Sequence, residues 1–305
     1  GIDVNVEKGA GEKAGYSDKE YLNSGATILE KLSDKTNLVT SVNAFYNNKT
    51  NFIKNSYVIS LSDIRTNSDI KKTCIENSIS LFAMEFVPRI ARAQKLDALS
   101  SQASIAGYRA GLIAATSLQK YLPLMMTAAG TIPPSSILVL GAGVAGLQAI
   151  ATTKRLGADV TGYDIRLAAG EQIESLGAKF ISDEVPVDSE TKGGYAKEQS
   201  QDKHVSQLEF LKEYILKSDA VITTAAIPGR KAPILIEKST VEQMKPGSVI
   251  IDLSASSGGN CEYTKLGEIV NINGTLVNGP NNLSSDMAYD ASIVSSMIDE
   301  LVSNN

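Results

Sequence analysis

Ile137-Leu138-Val139-Leu140-Gly141-Ala142-Gly143-Val144-Ala145-Gly146, and beyond it Asp159-Val160-Thr161-Gly162-Tyr163-Asp164, is the stretch on which the fold turns. The four leading residues are an uninterrupted apolar run, as suits a parallel strand buried on both faces. A glycine turn follows, then a helix from Val144 to Leu156 with Gly157 as its C-cap. The next strand ends on an acid, Asp164. A lone GxGxxG is a weak signal. Here, from about Ser135 to Asp164, strand, turn, helix, strand and acid come in the order that a dinucleotide-binding unit requires. Gly141 permits the tight turn, Gly143 lets a pyrophosphate approach the backbone, and Gly146 lets the helix pack on the strand. The phosphates would rest on free N–H groups at the positive end of the helix. Asp164 would accept hydrogen bonds from the adenosine ribose, and its charge repels a 2′-phosphate, so NAD(H) is expected over NADP(H). Arg166 pulls the other way.

Downstream, Ala220–Thr223 and Ser248–Asp252 are further strands, and Leu276 and Val277 belong to another. Between Asp183 and Gln207 the sequence turns polar and loses periodicity, which predicts a long loop. A last helix, Ala291–Leu301, is expected to pack back on the N-terminal domain. Upstream, Pro133-Pro134 marks the entrance to the unit. Ser100–Tyr121, rich in Ala, Gly and Ser, predicts a long, closely packed helix that Pro123 ends. Before it, short strands (Ile2–Val6, Tyr57–Leu61, Ile79–Met84) alternate with helical segments such as Asp18–Leu32. The expectation is therefore an α/β protein of two Rossmann-like domains with parallel sheets, linked by long helices. The N-terminal domain is expected over residues 1–99 plus 283–305, and the NAD(H)-binding domain over residues 100–282.

The 305 residues, 43% hydrophobic and 21% charged, suit two globular domains with substantial cores. A net charge of −5 without any basic run argues against nucleic acid as a partner. The two cysteines, Cys74 and Cys261, lie far apart and outside any metal-ligand spacing, so no metal is expected. No stretch has the length of apolar residues that a spanning helix needs, which predicts a chain soluble as it stands. The chain starts without methionine, directly in an alternating pattern, and its beginning reads as a fragment whose preceding secondary structure is missing.

Met84-Glu85-Phe86-Val87-Pro88-Arg89-Ile90-Ala91-Arg92-Ala93-Gln94-Lys95-Leu96-Asp97-Ala98-Leu99-Ser100-Ser101-Gln102 carries unusual chemistry. Arg89, Gln94, Asp97 and Ser100 could bind a carboxamide and one another, and Asp97 and Ser100 would share a helix face. From spacing alone, an ordinary helix cap with surface charges is an equally valid account. Together with Met125–Pro134, the glycine fingerprint, Gly193-Gly194-Tyr195-Ala196-Lys197-Glu198 and Ile227-Pro228-Gly229, this segment closely resembles proton-translocating nicotinamide nucleotide transhydrogenase, specifically its NAD(H)-binding component. The resemblance runs from Gly1 to the C-terminus and is strongest between Met84 and Asp252.

The resemblance implies that Arg89, Ile90, Ala91 and Gln94 lie at the nicotinamide end, with Asp97 and Ser100 completing that network. It puts Val144 over the pyrophosphate turn and Asp164, Ile165 and Arg166 at the adenosine ribose. Gly194, Tyr195 and Gln207 would come from a mobile loop that closes over the cofactor, and Ala226 from a strand end facing the ring. Hydride would pass to NADP(H) on a partner domain, coupled to proton movement through a membrane proton-channel domain. A homodimer peripheral to a bacterial cytoplasmic or mitochondrial-type inner membrane is implied with it. Two departures stand out. Gln199 replaces a methionine common in the loop of relatives, and the family's N-terminal strand and basic segment are absent. Transfer between two nicotinamides changes no O–H or N–H bond, so positioning suffices without a general acid or base. The alternative, an alanine-dehydrogenase-like enzyme, needs a base and a cation for the substrate carboxylate. Relatives of that kind supply a histidine from the N-terminal domain, whereas the sole histidine here is His204. A non-catalytic NAD-sensing module is the third reading.

Overall fold

The computed structural model describes residues 2–31, 36–42, 54–62, 64, 68–88, 90, 93, 97–183, 201–227 and 229–293, apart from the side chains of 201–203. The chain splits into two compact units, Gly1–Gln102 with Ser285–Asn305, and Ala103–Ser284.

In the second unit, Ile137 and Val139 enter one apolar cluster while Leu138 and Leu140 enter another. Side chains alternate across a strand, so this strand is buried on both faces, as its unbroken apolar run demands. It is β8 (Ser136–Leu140), the centre of a seven-stranded sheet. Its neighbours are β9 (Asp159–Tyr163) and β10 (Lys179–Ile181) on one side. On the other lie β11 (Ala220–Thr223), β12 (Val249–Asp252), β14 (Thr275–Asn278) and the edge strand β13 (Ile269–Ile272). The order β10-β9-β8-β11-β12-β14-β13 is parallel except for the antiparallel β13–β14 pair. The order reverses between β8 and β11, and in such sheets the crevice at the carboxyl ends of those two strands takes the ligand.

Helix α4 (Val144–Arg155) joins β8 to β9, and α5 (Ala169–Ser175) joins β9 to β10. Helix α3 (Ala98–Ser117) spans the division between the two units, and its glycines explain how it lies so close to α4. A Cβ on Gly107 would stand 2.1 Å from the Ala145 carbonyl oxygen, and one on Gly111 3.0 Å from Thr152 Cγ2. The helix stops at Ser117 rather than at the expected Tyr121, because the chain then turns Leu118 and Leu122 into the core. A hairpin, β6 (Met125–Thr127) with β7 (Gly130–Ile132), intervenes before β8.

The first unit holds two small parallel sheets. One is β3 (Leu38–Ser41), β4 (Tyr57–Ser60) and β5 (Ser80–Ala83), with α2 (Ser68–Glu76) supplying Ile70 and Cys74 to a cluster around Val58 and Ile79. The other pairs β1 (Asn5–Glu7) with β2 (Thr27–Leu29). Here the expectation of one helix over Asp18–Leu32 fails. Helix α1 (Asp18–Asn23) has a capping box made by Ser17 and Glu20, but it ends at Ser24. Gly25 then takes a left-handed φ of 91°, and β-branched Thr27 and Ile28 pair with β1 instead.

The predicted loop over Asp183–Gln207 also needs correcting at its end. Helix α6 (Gln201–Lys217) already includes His204 and Gln207. Gln207, Leu211 and Ile215, spaced as one helical face, are all buried. Residues 184–200 lie outside the described residues, as do residues 294–305 of the expected terminal helix. Among the described residues α3 is therefore the long helix that meets the expectation.

Candidate functional site

The glycine turn has the geometry of a phosphate cradle. Gly141 adopts φ 98°, and its N–H donates to the Tyr163 carbonyl at 2.8 Å. A Cβ there would meet Thr224 Oγ1 at 2.7 Å. Gly146 packs the helix onto that turn: its Cβ would lie 1.8 Å from the Gly141 carbonyl oxygen. Gly143 differs. It is the N-cap of α4, extended at φ −75°, ψ −170°, and a Cβ on it would find nothing within 4 Å. Two glycines are thus required by the protein's own packing. The third faces open space at the positive end of α4, where an incoming phosphate would approach the backbone. Val144, in the first turn, is partly exposed at 39%. These residues fit a pyrophosphate.

Asp164 is placed at the end of β9 but is not an open acceptor. It is 6% exposed. One carboxylate oxygen accepts from the Arg166 N–H and Nε, both at 2.9 Å, and the other from the Ala142 N–H at 2.8 Å and Arg166 Nη2 at 2.9 Å. A carboxylate offers about four acceptor positions, so all are taken. Arg166 also donates to the Ala142 carbonyl at 3.2 Å. The residue expected to favour a 2′-phosphate is folded onto the residue expected to repel it. Ribose hydroxyls would have to share Asp164 with Arg166 or displace it. Ile165, between them, packs at the edge of the cluster that holds Tyr163 and Leu140.

Gln207 faces inward from α6. Its amide nitrogen donates to the Tyr163 hydroxyl at 2.8 Å, and its oxygen lies 3.3 Å from His204 Nδ1. Burial, aided by the nearby Asp183 and Asp164 carboxylates, raises the Tyr163 hydroxyl well above the ordinary tyrosine range. Gln207 is thus a buried helix residue rather than a loop residue, because Tyr163 satisfies its polar end within the core. Gly194 and Tyr195 lie outside the described residues.

Of the nicotinamide-end residues, Arg89, Ala91 and Gln94 lie outside the described residues, and Ile90 is 44% exposed. Asp97 precedes α3, accepting from the Ser100 N–H at 2.9 Å and the Ser100 hydroxyl at 2.6 Å. That is the geometry of a helix N-cap. The simpler account of the Asp97–Ser100 spacing therefore describes their contacts with each other.

A buried hub behind β11 goes beyond what the sequence predicts. Asp252, 0% exposed at the end of β12, takes five neutral donors. Thr223 Oγ1 (2.9 Å) and the Ser254 N–H (3.0 Å) serve one oxygen. The Asn260 N–H (2.7 Å), Cys261 N–H (3.1 Å) and Thr264 Oγ1 (2.6 Å) serve the other. Ser254 Oγ and Asn260 Nδ2 in turn both donate to the Ala225 carbonyl at 2.9 Å. Thr224 Oγ1 ties the same strand end to the Gly141 carbonyl at 3.0 Å. The signal in the sequence is an acid ending a buried strand, followed by Gly258-Gly259-Asn260, whose two left-handed glycines (φ 103° and 82°) return the chain.

Among the described residues no cluster of His, Cys, Asp and Glu could hold a metal, and no helix is long and apolar enough to cross a membrane.

Residues 1–106 match the N-terminal domain of the alanine dehydrogenase/PNT family, and residues 110–298 match its C-terminal domain. The chain is 46% identical over 300 residues to the first of the separate polypeptides that make up the NAD(P) transhydrogenase alpha subunit of Rickettsia prowazekii, covering 96% of this chain and 78% of that one. Its fold is similar to the crystal structure of transhydrogenase from Sinorhizobium meliloti, with a TM-score of 0.84 and 38% identity over 99% of this chain and 84% of that chain. An L-alanine dehydrogenase structure superposes with a TM-score of 0.77 at 22% identity, over 99% of this chain and 81% of that chain, a likeness of fold alone. The chain belongs to the alanine dehydrogenase/PNT family, among the relatives of the NAD(P) transhydrogenase alpha subunits.

Proposed function

We propose that this chain is the NAD(H)-binding component of a proton-translocating NAD(P) transhydrogenase. The observation that carries the reading is the Gly141–Gly146 turn, open only above Gly143, in a chain 46% identical to a transhydrogenase alpha-subunit polypeptide. The bound nicotinamide supplies the hydride that passes to, or comes from, NADP(H) on a partner domain. A membrane domain of the same enzyme couples that transfer to proton movement. The chain acts as a homodimer, peripheral to a bacterial cytoplasmic or mitochondrial-type inner membrane.

The protein's own task is positioning. The N-terminal N–H groups of α4 bind the pyrophosphate, and Asp164 with Arg166 and Ile165 borders the adenosine ribose. Arg89 and Gln94 orient the nicotinamide, with Ile90, Ala91 and Ala226 beside it. Asp97 and Ser100 hold the start of α3, and with it the segment that carries Arg89 and Gln94. No residue has to donate or remove a proton at the reacting carbon, since hydride transfer between two nicotinamides leaves every O–H and N–H bond intact. The chain's one histidine, His204, lies within 3.3 Å of the Gln207 amide oxygen on α6, which accords with this reading and not with an amino acid dehydrogenase.

Two rings must approach to roughly 3–3.5 Å, so losing their orientation costs orders of magnitude in rate. Arg89→Ala or Gln94→Asn, reconstituted with an NADP(H)-binding component, should slow stopped-flow transfer by about tenfold or more while NADH affinity falls less. Collapsed affinity with a normal rate at saturation would make them ordinary binding groups. Activity with alanine or pyruvate would favour the dehydrogenase.

A further inference from the structure

The loop that leaves β11 is stapled from beneath by a single side chain. Asn260 is 0% exposed, and its Nδ2 donates to two carbonyls at the loop's two ends, Ala225 at 2.9 Å and Pro233 at 2.8 Å. Those contacts fix which end of the amide is nitrogen, since the reverse orientation would set oxygen against two carbonyl oxygens. Its Oδ1 is then buried without a hydrogen-bond partner. An unpaired buried acceptor costs about 1–3 kcal/mol, so stability alone does not favour asparagine here. Few side chains do what it does, however. A short, neutral group with two N–H donors is needed to reach both carbonyls. Aspartate would repel them, and an apolar residue would leave the Pro233 carbonyl without this donor.

The Ala225 carbonyl receives a second bond, from Ser254 Oγ, so two buried donors hold it pointing into the core. Its peptide is trans and planar. In such a peptide the carbonyl and the following N–H point in opposite directions. Fixing the Ala225 carbonyl inward therefore aims the Ala226 N–H outward. Ala226 is exposed, and its N–H makes no hydrogen bond to a described residue. It stands just past the end of β11, beside the glycine turn, at the reversal point of the sheet.

We infer that Asn260 and Ser254 are positioning residues that present the Ala226 N–H as a preset donor for the carboxamide oxygen of the bound nicotinamide. The inference rests on the NAD(H) reading above and deepens it. The Asp252 hub holds the two side chains, they hold one peptide, and that peptide grips the end of the cofactor that reacts. A donor fixed before binding costs no ordering when the ring arrives.

The test compares two ligands by isothermal titration on the full chain. NADH carries the carboxamide, and ADP-ribose lacks the nicotinamide but keeps the adenosine and pyrophosphate. Asn260→Ala should weaken NADH about five- to tenfold, the loss of one well-placed hydrogen bond, and leave ADP-ribose within about twofold. Ser254→Ala removes one of the two donors to Ala225 and should act in the same direction by about two- to threefold. If Asn260→Ala fails to fold, Ser254→Ala decides alone. Equal losses for both ligands would make the loop a general scaffold, and unchanged affinity for both would show that the N–H is unused. Either result overturns the inference. A native chain that binds neither ligand overturns the NAD(H) reading itself.

Discussion

Replacing Gly143 and Gly146 by alanine separates binding from folding. At Gly143 the backbone is extended and a Cβ meets nothing within 4 Å. Alanine is a poorer N-cap than glycine, but it also lowers the entropy of the unfolded chain by about 0.4–1 kcal/mol, so the two effects roughly offset. Gly143→Ala should therefore melt within a few degrees of the native protein. Its methyl, however, occupies the approach of the pyrophosphate to α4. Losing one charge-assisted hydrogen bond there costs about 1.5–3 kcal/mol, or roughly ten- to a hundredfold in NADH affinity. At Gly146 the same methyl falls 1.8 Å from the Gly141 carbonyl oxygen, about half an ordinary contact distance of about 3.5 Å. That oxygen is backbone and cannot rotate aside, so the turn must open. Overpacking of this kind costs about 1–3 kcal/mol or more, a fall of roughly 4–10 °C in Tm, and binding should fall with it. Thermal melts and NADH fluorescence titrations on both variants measure the pair. Native affinity in Gly143→Ala, or a native Tm in Gly146→Ala, would refute this account of the turn.

Cofactor choice follows from Asp164: NADH should bind at least about tenfold tighter than NADPH. Because Arg166 shields Asp164, Arg166→Ala should widen that gap, and Asp164→Asn should narrow it while loosening the Ala142 turn; equal affinities for NADH and NADPH in the native chain would refute the assignment. Burial alone would raise the Asp219 carboxyl, but Lys120 at 2.8 Å and the Ser136 N–H at 3.0 Å bring it below its ordinary 3.8. A lowered carboxyl stabilises the fold above its unfolded value and loses that contribution as pH falls through the folded one. Urea midpoints of native and Lys120→Ala chains should thus differ at neutral pH and converge below about 3.8, and a gap that grows on acidification would reverse the argument. Burial pushes the Cys261 thiol up to about 11 and raises Cys74 as well, so at pH 8 a disulfide reagent should label neither before unfolding. Prompt labelling of Cys261 would contradict its place in the core.

How far the sequence can be read depends on whether the deciding interactions are local. The Ile137–Leu140 run, the glycine turn and the strands at Ala220 and Val249 rest on burial and short-range geometry, and each is visible in the sequence. Asp18–Leu32 misleads because Gly25 ends the helix only once β1 offers the next residues a partner strand. The start of α6 escapes the sequence because Gln207 reads as a polar surface residue until Tyr163 is placed opposite it. Arg166 reads as a competing signal, and only the folded chain pairs it with Asp164. The Asp97–Ser100 spacing is compatible with a cap and with a binding network, and a spacing alone cannot separate the two. The Asp252 hub is beyond reach for the same reason that it matters: it joins Thr223, Ser254, Asn260 and Thr264 from four places in the chain.

The central claim is direct passage of hydride between two bound nicotinamides, and a label tests it. NADH deuterated at the transferring position, mixed with this chain and a purified NADP(H)-binding component carrying NADP, should give NADPH that retains the deuterium in ordinary water. No solvent hydrogen should enter at that carbon, and alanine, pyruvate and ammonia should have no effect. Loss of the label to water, no transfer with the partner present, or oxidation of NADH that requires pyruvate and ammonia would contradict the account.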